Sequence, residues 1–173
     1  MLKYVDTKVV FQEIPDEITL AINISGCPCN CEGCHSSYLA EDIGKPLIYE
    51  DTYNNRTAIN CNPLSELIEA NNGITCVCLM GGDSNPEYIN ILGKVIKLHH
   101  LKSAWYSGRQ DLSKDINLEN FDYVKLGPYI KDKGPLNSPT TNQRFYKIIH
   151  TPVPSTLLED QTHLFWKKDS SEK

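Results

Sequence analysis

The chain has 173 residues, 40% apolar and 23% charged, enough for one domain with a substantial core. Its net charge of −5 and pI near 5.5 argue against nucleic-acid binding, which needs a basic face, and no apolar stretch is long enough for a membrane-spanning helix. Seven cysteines, with no apolar leader-like stretch in residues 1–12, read as metal ligands or free thiols of a cytoplasmic protein rather than as disulfides.

The first patterned stretch, Ile18-Thr19-Leu20-Ala21-Ile22-Asn23-Ile24, is rich in β-formers and predicts a strand. It delivers the chain into Gly26-Cys27-Pro28-Cys29-Asn30-Cys31-Glu32-Gly33-Cys34-His35. Residues 40–60 are polar and weakly periodic, and read as an irregular excursion. A helix is then expected, with Asn62 as N-cap, Pro63 at the first helical position and Leu64, Leu67 and Ile68 as its buried stripe. Gly73 is the expected stop.

Residues 74–80 form a continuous apolar run, as in a buried parallel strand, and end in Gly81-Gly82-Asp83. A second helix is expected over 86–100, with Ile89, Leu92, Val95, Ile96 and Leu98 on a wide apolar face. Residues 102–107 read as a strand ending in Ser-Gly, followed by a polar, partly helical stretch to Asn120. Residues 121–126 read as a strand ending in Gly127-Pro128, and 144–150 as the last strand. Residues 167–173 are charged and read as a frayed tail.

Strands alternating with helices, with glycine after each strand, predict βα units around a parallel sheet. A complete eight-unit barrel takes about 250 residues, more than this chain has. The expected fold is therefore α/β: an incomplete, partial TIM-like βα barrel, or an open mostly parallel sheet flanked by helices, in a single domain over residues 1–166. Ligands of such sheets gather at the carboxyl ends of the strands. The cysteine loop, Gly-Gly-Asp, Ser-Gly and Gly-Pro all fall on that rim.

Four of the seven cysteines lie within the eight residues 27–34. Cys27, Cys31 and Cys34 follow C-x3-C-x2-C, three thiolates where a closed four-iron cluster needs four. Such a set leaves one iron open to bind an amino group and a carboxylate. The span from Cys27 to Cys34 is roughly 24 Å if extended, so the loop must fold back to bring three thiols to one cluster. Gly26 and Gly33 give the backbone that freedom.

With these residues in place, the loop resembles that of the radical S-adenosylmethionine enzymes. Within them, residues 26–35 resemble the activating proteins of anaerobic ribonucleoside-triphosphate reductase. Gly81-Gly82-Asp83, Trp105-Tyr106-Ser107-Gly108-Arg109, Lys125-Leu126-Gly127-Pro128-Tyr129 and Thr141-Asn142-Gln143-Arg144 agree in order and rough spacing. The similarity runs from about Ala21 to Phe145, with Asn-Gln-Arg its most subfamily-specific part.

The resemblance implies a 4Fe-4S cluster on Cys27, Cys31 and Cys34, with S-adenosylmethionine on the fourth iron. Gly33, Cys34, His35, Gly81, Gly82 and Asp83 would surround the co-substrate, Asp83 accepting from its ammonium. Reductive cleavage would give a 5′-deoxyadenosyl radical that takes a hydrogen atom from a glycine of the reductase. No separate acid–base residue is required. A flavodoxin or ferredoxin-type protein would donate the electron; nucleic acid and membrane are not expected partners. The chain departs from the family pattern at Glu32, Asp83 and Lys125, and in a longer connection over 40–61.

The same residues admit competing readings. Cys29 would complete a four-thiolate set, making the loop a structural zinc site in a non-catalytic binding module. A radical enzyme with a small-molecule substrate, or a different glycyl radical protein as substrate, is the nearest enzymatic alternative. Cys61, Cys76 and Cys78 read as apolar fillers, and His99 and His100 as residues facing the negative end of a helix. Asn142, Gln143 and Arg144 would otherwise pin the last strand by hydrogen bonds.

Overall fold

A computed structural model describes residues 1–151 and 156–166; the expected tail over 167–173 lies outside the described residues. One nine-stranded sheet organises them: β1 (Leu2–Val10), β2 (Thr19–Ile24), β3 (Lys45–Tyr53), β4 (Arg56–Asn60), β5 (Cys76–Met80), β6 (Lys102–Tyr106), β7 (Tyr123–Leu126), β8 (Arg144–Ile149) and β9 (Leu157–Asp160). Across the sheet the order is β4-β3-β1-β2-β5-β6-β7-β8-β9. Two helices, α1 (Asn62–Glu69) and α2 (Pro86–Leu98), complete it.

The expectation of a mostly parallel sheet is corrected. Only β2-β5, β5-β6 and β6-β7 pair parallel; the five other pairings are antiparallel. The parallel part is a central block of four strands with an antiparallel wing on each side, and the sheet is open rather than closed into a barrel. Residues 40–60, expected to be irregular, hold β3 and the exposed strand β4. β9 follows the strand expected to be last.

The central block forms because its strands are apolar on both faces. On β5, Val77 and Leu79 join one cluster while Cys76 and Cys78 join another, the period-two alternation of a pleated strand. The first cluster packs Leu20, Ile22, Ile24, Trp105 and Val124 of the sheet against Leu64 and Ile68 of α1 and Ile89, Leu92 and Ile96 of α2. Ile89 and Leu92 are fully buried, each worth about 1.5–3 kcal/mol of burial. The opposite face carries Cys76, Cys78, Ala104, Tyr106, Tyr123 and Phe145, covered by Ile14 and Phe165.

Both helices begin at sequence signals. Asn85 caps α2, its side chain accepting from the Tyr88 N–H at 3.0 Å, and Pro86 follows it. In α1 the cap is Cys61, one residue earlier than expected, and the Asn60 side chain accepts from the Asn62 N–H at 2.9 Å. α1 ends at Glu69, short of Gly73, and α2 at Leu98, with His100 in the left-handed region at φ 59°.

Candidate metal centre

The parallel block sets its four strands carboxyl end to carboxyl end, so the segments after β2, β5, β6 and β7 share one rim. The cysteine loop follows β2, Gly81-Gly82-Asp83 follows β5, Ser107-Gly108-Arg109 follows β6 and Gly127-Pro128 follows β7. The rim expected from the sequence is the one observed.

The loop folds back as the thiol spacing required. Gly26 and Gly33 both adopt φ 72° and Asn30 φ 42°, a conformation glycine takes without a steric cost. The Gly26 N–H donates to the Glu41 carbonyl at 3.0 Å, and the Cys27 N–H to the Leu39 carbonyl at 2.9 Å. The Cys34 N–H donates to the Cys31 carbonyl at 3.2 Å, closing the turn between those two cysteines. Cys27, Cys31 and Cys34 are all half-buried and free, and they line one concavity of about 240 Å³ with Asn30, Ser36, Ser37 and Ala40.

Cys29 does not line that concavity. Its side chain packs on the Ser107-Gly108 turn, where a Cβ added to Gly108 would stand 2.7 Å from the Cys29 sulfur. Burial, with help from Asp83, Cys27 and Cys31, pushes its thiol up to about 12. Three of the loop's thiols thus line one concavity, while the fourth packs against a neighbouring strand end and stays close enough to Cys27 to hydrogen-bond with its side chain. Among the described residues, no group of three or more His, Cys, Asp or Glu side chains is gathered as a site for a metal ion.

The glycines after β5 are required by their surroundings. Gly81 and Gly82 have φ 103° and 83°; a Cβ on Gly82 would lie 2.4 Å from Ile89 Cδ1, and one on Gly81 3.0 Å from the Ile24 carbonyl oxygen. The Trp105 indole N–H donates to the Gly81 carbonyl at 2.8 Å and holds the turn down.

Asp83 is buried, 2% exposed. Its carboxylate accepts from the Ser107 hydroxyl and from the Gly108 N–H at 3.0 Å, and Arg109 Nε lies 3.8 Å away. In this arrangement Asp83 shapes the turn after β6. An ammonium ligand would have to share a carboxylate already holding two donors.

His35 is exposed and tilts against Tyr129, ring centroids 5.8 Å apart; Gly33 also abuts Tyr129. Asn142 and Gln143 pin the chain after β7: Asn142 Nδ2 donates to the Pro128 carbonyl at 2.9 Å and Gln143 Nε2 to the Gly127 carbonyl at 3.3 Å. Arg144 pairs instead with Asp160 at 3.8 Å. These bonds are the strand-pinning reading of the Asn-Gln-Arg element.

A second cavity, about 330 Å³, lies between the loop and the strand ends. Cys34, His35 and Ser36 line it from the loop, Met80, Tyr106 and Lys125 from the strand ends, and Glu13 and Gln143 from the covering segments. Sequence reasoning missed Glu13 and left Lys125 without a role. Glu13 precedes the buried Ile14 in an unpatterned segment, so no periodicity marked it. Burial pushes the Glu13 carboxyl above its ordinary value, against the pull of Lys125. Burial also pushes the Lys125 ammonium down, while Asp83, Cys31, Cys78 and Cys34 pull it up.

Comparison of the chain with protein-family models, curated proteins and solved structures finds no match.

Proposed function

We propose that this chain is a radical S-adenosylmethionine enzyme that installs a glycyl radical on anaerobic ribonucleoside-triphosphate reductase. The single observation that carries the reading is that Cys27, Cys31 and Cys34 line one concavity and Cys29, packed on the Ser107-Gly108 turn, does not. Three donors fit a four-iron cluster that keeps one iron open; a closed zinc site would use all four thiols.

When bound, the cluster supplies the single electron that breaks the sulfonium's sulfur–carbon bond and yields a 5′-deoxyadenosyl radical. Cys27, Cys31 and Cys34 would hold it, and the backbone of Gly33, Cys34, His35, Gly81 and Gly82 would border the co-substrate. The two glycines let the turn after β5 pack tightly on Ile24 and Ile89 and so fix the backbone that would border the co-substrate. Asp83 fixes Ser107 and Gly108 beside the loop. Met80 and Tyr106 wall the cavity and limit water where a carbon radical would react. The parallel block with α1 and α2 is, in this reading, an incomplete TIM-like βα barrel. The electron would come from a flavodoxin or ferredoxin-type donor in the cytoplasm.

The test is direct. Anaerobically reduced protein, S-adenosylmethionine and purified reductase are incubated and examined by electron paramagnetic resonance. A glycine-centred signal on the reductase is expected. Cleavage of S-adenosylmethionine without that signal would move the substrate to a small molecule or another glycyl radical protein.

A further inference from the structure

The register across the parallel block places Met80, Tyr106 and Lys125 side by side: Met80 pairs with Tyr106, and Tyr106 with Lys125. Registered residues of neighbouring strands point to the same face. All three line the cavity that Cys34, His35 and Ser36 close from above. Lys125 therefore brings a cation to the side of the cavity facing the cysteine loop.

Its local partners are weak. The ammonium donates to the Gly127 carbonyl at 3.3 Å and lies 5.7 Å from the centroid of the Tyr106 ring. Among the described residues no carboxylate stands at ion-pair distance from it. The charged and titratable groups within its electrostatic reach are Glu13, Asp83, Cys31, Cys34 and Cys78. Of these, Asp83 is engaged with Ser107, Gly108 and Arg109, Cys78 is a buried thiol whose ionisation burial opposes, and Glu13 shares the cavity beyond ion-pair distance, its ionisation also opposed by burial. An ammonium taken out of water without a matched anion is costly. Cys31 and Cys34, as metal-bound thiolates, would supply the missing charge.

We infer that Lys125 is the counter-cation of the metal–thiolate centre and favours its reduced form. The inference rests on the functional reading above. One-electron reduction by the external donor makes the metal–thiolate set more negative by one charge, and a fixed cation beside it stabilises that state. Net charge, hydrogen bonding and exposure are what set the potentials of such clusters. Lys125 is thus a positioning charge for the redox step.

The experiment compares wild type with Lys125→Met and Lys125→Arg after anaerobic reconstitution, without S-adenosylmethionine. Iron and sulfide content and the cluster's midpoint potential are measured. Lys125→Met is expected to lower the reduced-to-oxidised ratio at a fixed potential about tenfold, a shift of about 59 mV for one electron, while Lys125→Arg stays near wild type. Reduced iron uptake by Lys125→Met with full uptake by Lys125→Arg equally supports a counter-charge. An unchanged potential in Lys125→Met, or equal losses in both variants, overturns the inference. An unchanged potential with weakened S-adenosylmethionine binding also overturns it, assigning the lysine to the co-substrate. Wild-type protein that takes up zinc and no iron would instead overturn the functional reading.

Discussion

The two ends of the parallel block are built to opposite rules. At the amino ends, Glu17 is buried and surrounded by donors: the Lys102 ammonium, the Thr75 hydroxyl at 2.6 Å and the Tyr123 hydroxyl at 3.2 Å. Lys97 meets Asp122 at 3.4 Å, and Asp122 accepts from the Ser103 N–H at 2.9 Å. At the carboxyl ends Asp83 is likewise paired, with Arg109 at 3.8 Å, but thiols face a concavity, glycines replace side chains and Lys125 has no ion-pair partner among the described residues. Paired charges stabilise a fold; groups held unpaired at a cavity are what chemistry uses.

The largest expected effect breaks the carboxyl end alone. Alanine at Cys27, Cys31 or Cys34 should abolish iron and sulfide uptake on reconstitution, with little change in the urea unfolding midpoint of the metal-free protein. Alanine at Cys29 should leave uptake intact. Equal loss at all four positions would show that the loop uses its thiols as one closed set.

A second substitution asks how much of the rim is scaffold. Gly82→Ala combines a left-handed backbone with a clash against Ile89, and should destabilise by roughly 2–4 kcal/mol in urea unfolding. A change within about 0.5 kcal/mol, typical of an unconstrained surface site, would contradict the tight packing of the turn.

The smallest effect sharpens the comparison from the amino end. Burial raises the Glu17 pKa, but hydrogen bonds from Lys102 and Thr75, the Lys102 charge and a further bond from Tyr123 outweigh it and leave the value lowered. A lowered carboxylate pKa adds stability above the unfolded value of about 4.3, and that stability is lost as pH falls through the folded value. Half of the Lys102 side chain is exposed, so the pair is discounted for screening. Glu17→Gln should cost about 1 kcal/mol at neutral pH, and the difference should vanish in acid. A difference independent of pH would place the effect in packing rather than charge.

The parts of the fold legible in the sequence are those buried on both faces. β5 is a continuous apolar run, β6 carries the buried Ala104-Trp105-Tyr106, and α2 has both a cap and a wide apolar stripe. β1, β3, β4 and β9 were not legible: only Leu2, Leu47 and Ile48 among their residues are buried, so neither alternation nor an apolar run marks them. That is why the sheet read as mostly parallel. At the site, the spacing of the thiols was explicit, whereas the diversion of Cys29 depends on Gly108, far away along the chain. The bonds that occupy Asp83, and the row that brings Lys125 under the loop, likewise come from strand register, which local pattern does not encode.

The most direct test of the account is anaerobic reconstitution of the wild type and of Cys29→Ala, followed by electron paramagnetic resonance of the reduced proteins with and without S-adenosylmethionine. A four-iron signal in both, altered in both by the co-substrate, is the predicted result. A signal that needs Cys29, or one that S-adenosylmethionine leaves unchanged, would contradict a centre held by three thiolates with one iron open.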